Sequence, residues 1–188
     1  MTLSRRTVLC ACLGAASSGP AWADADDDPV RSQPPQPGDL LISSDTDQNG
    51  GPLKPSDIKP ADDPVLAWAF DPAKKVPRDG TRLNQILLMR FDPPQLSAKE
   101  KALSADGVVA FSAICTHQAC TITEWLSAKQ VLQCPCHQSQ YDPKNDGAAV
   151  SGPAPRALPA LPLKLHASGT LELAAQFSDR VGGEKQAG

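Results

Sequence analysis

Two short boxes decide how this chain is read: C-T-H-Q-A-C, from Cys115 to Cys120, and C-P-C-H-Q-S-Q-Y-D, from Cys134 to Asp142. They hold four of the six cysteines and two of the three histidines. Cys115 and His117 are two positions apart, whereas Cys134 and His137 are three apart. Between the boxes, Thr121 to Leu126 and Gln130 to Gln133 read as a hairpin turning at Ser127-Ala128-Lys129. A hairpin returns the chain to where it left, so one thiol–imidazole pair is expected beside the other. Such a set of donors binds metal. One solution is a tetrahedral Cys₂His₂ zinc site, acting as a structural module. The other is a two-iron cluster with two thiolates on one iron and two imidazoles on the other.

The boxes resemble those of the Rieske iron–sulfur family, C-T-H-x-G-C and C-P-C-H-x-S-x-Y, in its high-potential, disulfide-containing branch. The resemblance is firm over about residues 107–160. It implies one Rieske-type [2Fe-2S] cluster, with Cys115 and Cys134 on one iron and His117 and His137 on the other. It further implies a disulfide between Cys120 and Cys136, and hydroxyls at Ser139 and Tyr141 that donate to cluster or ligand sulfur. Gly152-Pro153-Ala154-Pro155 matches the loop that covers the cluster. A zinc site would leave Cys120, Cys136, Ser139 and Tyr141 without a role. Three positions depart from the family pattern. Gln118 stands where an apolar tip residue is usual, and Ala119 and Gln138 replace glycines, so a positive φ at Ala119 would be costly.

Outward from the boxes the chain reads as all-β. Leu40 to Ser43, Val65 to Phe70 and Gln85 to Phe91 are short apolar runs between Gly, Pro and Asp. The last, Q-I-L-L-M-R-F, is apolar on both faces and belongs inside a sheet. Asn49 to Pro64 reads as a polar surface loop, and Ser97 to Glu100 as a capping box opening a helix to about Leu103. A strand starting at Gly107 delivers Cys115. Leu161 to His166 and Thr170 to Ala175 form a last hairpin, and the segment from Arg180 is expected to fray. The resemblance implies three stacked antiparallel sheets with a small cluster-binding subdomain at one tip.

Residues 1–23 resemble a twin-arginine export signal: Arg5-Arg6, an apolar stretch from Val8 to Ala16, and Ala21-Trp22-Ala23 as a small-x-small cleavage site. Residues 24–37 follow as an acidic, proline-rich leader, and 38–188 as the cluster domain. A membrane span needs about 20 apolar residues, and Ser17 to Pro20 interrupt this run. A cleaved signal and a periplasmic protein are therefore expected, with an uncleaved membrane anchor as the alternative. Cleavage would leave sixteen basic against twenty-one acidic residues, a formal charge of −5, and four cysteines, all in the boxes. That balance gives no footing for nucleic acid, and the paired cysteines suit an oxidising compartment.

A second, oxygenase-type iron site would need two more histidines, and only His166 remains. No Ser/His/Asp set or nucleotide loop is present. The expectation is an electron carrier with no substrate site of its own, the small subunit or shuttle of a periplasmic oxidoreductase. Its partners would be a larger redox subunit or a c-type cytochrome. The alternative is the iron–sulfur subunit of a quinol–cytochrome c reductase, meeting quinol through its partner.

Overall fold

The computed structural model describes residues 28–45 and 51–183. A strand that is apolar on both faces needs protein on both sides, and the I-L-L-M run has it. The strands are β1 Leu40–Ser43, β2 Val65–Asp71, β3 Val76–Pro77, β4 Ile86–Arg90, β5 Val108–Ser112, β6 Glu124–Leu126, β7 Val131–Gln133, β8 Gln140–Asp142, β9 Ala148–Ser151, β10 Leu163–Leu165 and β11 Leu171–Leu173. Among the described residues one α-helix, α1, spans Ala98–Leu103. The larger sheet has the order β10-β11-β1-β2-β4-β5, with β3 paired to β2, and the smaller the order β6-β7-β8-β9. All the named pairings are antiparallel. The all-β expectation holds. The described strands gather into two hydrogen-bonded sheets where the resemblance implies three.

Side chains alternate across a strand, and β4 and β5 use both faces. Ile86, Leu88, Val108 and Ala110 join a core with Leu41, Ala67, Leu163 and Leu171. Leu87, Met89, Val109 and Phe111 point the other way, into a second core with Ile122, Leu132, Cys134 and Tyr141. The small sheet is seated on that second face. Burying a Leu, Ile, Val or Phe side chain is worth about 1.5–3 kcal/mol, so this doubly buried pair of strands is the rigid floor beneath the boxes.

Three expectations are corrected. The described part of the 49–64 loop is not excluded from the core: Leu53 and Ile58 are buried. The Leu53 N–H donates to Leu41 O at 2.7 Å and its carbonyl accepts from Leu171 N–H at 2.7 Å, so two apolar anchors and satisfied backbone offset the polar composition. Residues 28–37 lie against the body. Val30 is buried, Arg31 pairs with Asp79 at 2.7 Å, and Asn84 Nδ2 donates to Gln33 O at 2.7 Å. The adjoining Asp39 accepts from Arg78 at 2.6 Å in a buried ion pair.

The third correction concerns the capping box, which forms by half. Ser97 Oγ accepts from Glu100 N–H at 3.0 Å. Ser97 N–H donates to Lys144 O, so the Glu100 side chain does not reach back. It turns inward instead, 1% exposed. Burial, and then the charge of Asp146, push its carboxyl up to about 7.

That shift has a definite sign. A carboxyl raised in the folded state favours folding where it stays protonated, and stability falls as pH rises from the ordinary glutamate range towards 7. Glu100→Gln should remove this slope and be more stable than the parent at pH 8 by roughly 1–3 kcal/mol. Urea unfolding at pH 5 and pH 8 checks it. Equal differences at both pH values would contradict the burial effect.

Candidate metal centre

Each box folds into the same six-residue frame. In the first, Cys115 N–H donates to Cys120 O at 2.8 Å and Ala119 N–H to Cys115 O at 3.0 Å. In the second, Cys134 N–H donates to Ser139 O at 2.9 Å and Gln138 N–H to Cys134 O at 3.0 Å. The frame needs a left-handed residue at its fifth position, and Ala119 and Gln138 both sit there at φ 57°. This is why glycine is usual at those places, and each side chain here costs about 1–2 kcal/mol of backbone strain.

Within this frame the two histidines take different positions. His117 takes the third position of its loop. In the second loop Cys136 takes the third position, and the histidine moves to the fourth. Cys120, sixth in the first loop, is bonded to Cys136, with Cα atoms 6.5 Å apart. A crosslink over this separation is worth roughly 3 kcal/mol by loop entropy. It pins one loop against the other.

The four expected ligands meet at this tip. The Cys115 and Cys134 thiols are each 1% exposed. The imidazoles of His117 and His137 stand edge to face with centroids 4.7 Å apart. His117 is half-buried and His137 exposed. Burial pushes the Cys134 thiol up, while the N–H groups of Cys136 and His137 aimed at its sulfur act in the opposite direction. The sulfurs of Cys120, Cys134 and Cys136 also lie within 4.8 Å of one another. Two of those three are joined, so that trio is no metal site.

Tyr141 is fully buried and its hydroxyl lies 3.2 Å from Cys115 Sγ. Thr116 N–H donates to that hydroxyl at 3.2 Å. Thr116 Oγ1 spends its own proton on Arg156 O at 2.8 Å. The tyrosine proton is thus left for Cys115 Sγ or for Thr116 Oγ1, 3.1 Å away. A charged sulfur would win it, because charge-assisted bonds are about twice as strong. Burial and the adjacent Cys115 thiol raise the Tyr141 pKa, which keeps that proton in place. Ser139 is also fully buried, and its Oγ has no partner. Neither has the buried Nδ1 of His117. Unpaired buried groups cost about 1–3 kcal/mol each. A cluster would supply a sulfur acceptor for Ser139 and an iron for His117, so the residues present fit the group.

The 152–155 loop closes on the second box. Gly152 has φ +83°, and a Cβ there would come within 2.6 Å of Ser139 Cα. Ala154 packs on the second core, while Pro153 and Pro155 are exposed. Thr116 and Arg156 were missed by motif reading, although Thr116 lies inside the first box. The expected fraying from Arg180 is corrected for residues 180–183, where Gly182 is buried and Arg156 Nη2 donates to its carbonyl at 2.6 Å; residues 184–188 lie outside the described residues.

A family model for the Rieske [2Fe-2S] domain matches residues 84–162. A cytochrome bc1 complex Rieske iron-sulfur subunit of Streptomyces lividans is 33% identical over 151 residues, covering 77% of this chain and 85% of that protein. The chain belongs to the Rieske [2Fe-2S] family. It carries one [2Fe-2S] cluster and works in electron transfer. The subunit of the same name from Streptomyces coelicolor is likewise 33% identical over 77% of this chain, but the match covers 41% of that protein. A putative respiratory nitrate reductase subunit Rieske of Haloferax mediterranei is 35% identical over 56% of this chain and 48% of its own length. This Rieske chain thus spans less than half of those two relatives.

Two predictions follow from the site. A hydroxyl that donates to a sulfur gains strength when that sulfur becomes more negative. Of the 1.5–3 kcal/mol in such a bond, about 1 kcal/mol should differ between redox states, or about 40 mV. Ser139→Ala and Tyr141→Phe should each keep the cluster and lower its potential by tens of millivolts in voltammetry. Unchanged potentials with lowered melting temperatures would mean that the hydroxyls only hold the loop. Gln138→Gly should relieve the left-handed strain and raise stability by about 0.5–1 kcal/mol at unchanged iron content. Denaturant midpoints check that gain.

Proposed function

We propose that this Rieske chain is the electron-transfer subunit of a cytochrome bc1-type complex, with Cys115 and Cys134 holding one iron and His117 and His137 the other. The observation that carries the reading is the tip itself. Two imidazoles stand in contact there, on residues of which His137 is exposed, beside two buried thiols whose loops are tied together by the disulfide Cys120–Cys136. The cluster supplies one-electron redox chemistry. The protein's part is to hold the ligand loops fixed, keep water from the thiols, and present His137 where a partner can approach. The relatives named as bc1 subunits support this assignment over the shuttle expected from sequence. Export through the twin-arginine signature at Arg5-Arg6, and work at the periplasmic side, belong to the same proposal. That signature lies outside the described residues. Among the described residues no helix is long and apolar enough to cross a membrane.

A second reading keeps the chain as the small subunit or shuttle of another periplasmic oxidoreductase delivering to a c-type cytochrome. Gln118 favours it, since this polar residue is exposed on the tip. The relative named as a nitrate reductase subunit also favours it.

Purified protein should contain two irons and two acid-labile sulfides per chain and, when reduced, give a Rieske-type electron paramagnetic resonance signal. Stoichiometric zinc without visible absorbance would sink the assignment. Affinity capture from the native host separates the two readings. Co-purification with b- and c-type haem proteins from washed membranes supports the bc1-type role, and recovery with a soluble oxidoreductase from periplasm supports the other.

A further inference from the structure

The first ligand loop has a cover that no motif announces. Gly183 lies against the His117 backbone so closely that a Cβ on it would stand 2.4 Å from His117 O and 3.1 Å from His117 C. Gly182, at φ +84°, is buried and would place a Cβ 3.5 Å from Ala119 Cβ and 3.8 Å from Ile114 Cγ2. At position 183 only glycine lets backbone approach backbone, and at position 182 glycine alone enters the left-handed conformation without strain. Arg156 grips this segment at two points, donating to Gly182 O at 2.6 Å and to Asp179 Oδ2 at 3.2 Å. Arg180 Nη1 adds a bond to Gly183 O at 3.2 Å. Through its own carbonyl, Arg156 also takes the Thr116 Oγ1 proton at 2.8 Å. One residue thus joins the covering segment to the loop beneath it, and that loop carries Cys115 and His117.

We propose that residues 179–183 form a built-in cap, clamped by Arg156, that positions the first ligand loop and shields His117 from water. The cap matches the unequal exposure of the two histidines: Gly183 lies on the His117 backbone and His117 is half-buried, while among the described residues His137 is exposed. Arg156, Gly182 and Gly183 are positioning residues, because they act through the His117 loop and touch neither thiol. Solvent access is one of the levers on the potential of an iron–sulfur centre. Water admitted beside His117 stabilises the more highly charged redox state. That is the reduced one, since two thiolates and two neutral imidazoles leave the oxidised centre formally uncharged. Lifting the cap therefore raises the potential.

The inference rests on His117 being a ligand, and two variants test it in the holoprotein. Arg156→Gln removes the clamp and keeps the carbonyl that Thr116 uses. Gly183→Val pushes the cap off by bulk. Hydrogen–deuterium exchange across residues 116–119 should accelerate at least tenfold in both, with the melting temperature of the β body unchanged. The potential should move upward in both. Parent-like exchange at 116–119, or an unmoved potential in both variants despite faster exchange, overturns the cap. A parent protein without iron and acid-labile sulfide would instead fail the ligand assignment beneath it.

Discussion

Two loops with one hydrogen-bond frame must be held face to face, and everything at the tip answers to that demand. Each frame closes on itself through two backbone bonds and forces one residue into the left-handed region. The frames alone do not fix the distance between the loops. The Cys120–Cys136 bond does, joining the end of one loop to the middle of the other. Cys136 takes the third position of the second loop, and the second histidine stands at the fourth. The mismatch in Cys–His spacing thus accompanies the placement of Cys136 in the frame. A ligand set spread over two loops is useful only if both are preorganised, since small misplacements loosen a metal site.

The loops need a base that does not yield. β4 and β5 are buried on both faces and leave no room for the strand pair to shift. The small sheet packs on one of those faces through Leu132 and Tyr141. Tyr141 therefore belongs to two systems at once. Its ring is core, and its hydroxyl lies between Cys115 and Thr116. Stability and redox tuning share this side chain, so a packing change around it would reach the sulfur it faces.

The tip is asymmetric in a way that suits an electron carrier. His137 is presented outward, while His117 sits under the segment that Arg156 holds. The second loop is backed on its own side by Gly152, whose missing side chain leaves space for Ser139. Each ligand loop is thus buttressed by a glycine pressed against its backbone, one before the last hairpin and one after it.

The ligand chemistry was legible in the sequence because it is local. Thiols, imidazoles and hydroxyls at fixed offsets within two boxes define the donor set, and the turn between them brings the boxes together. The same holds for β4, whose doubly apolar run announced an interior strand, and for the strain at Ala119, where a family glycine is missing. Long-range contact decided the rest. Leu53 and Ile58 join the core from a polar stretch because β1 and β11 satisfy the loop's backbone. Glu100 turns inward because Lys144 O has already taken the Ser97 N–H it would have capped. Gly182-Gly183 reads as a frayed polar end in one dimension. It becomes a cap only because the fold returns it to a loop more than sixty residues earlier in the chain, where backbone can meet backbone. Local offsets carry donor chemistry, but close approach between distant segments leaves no periodic trace in the sequence.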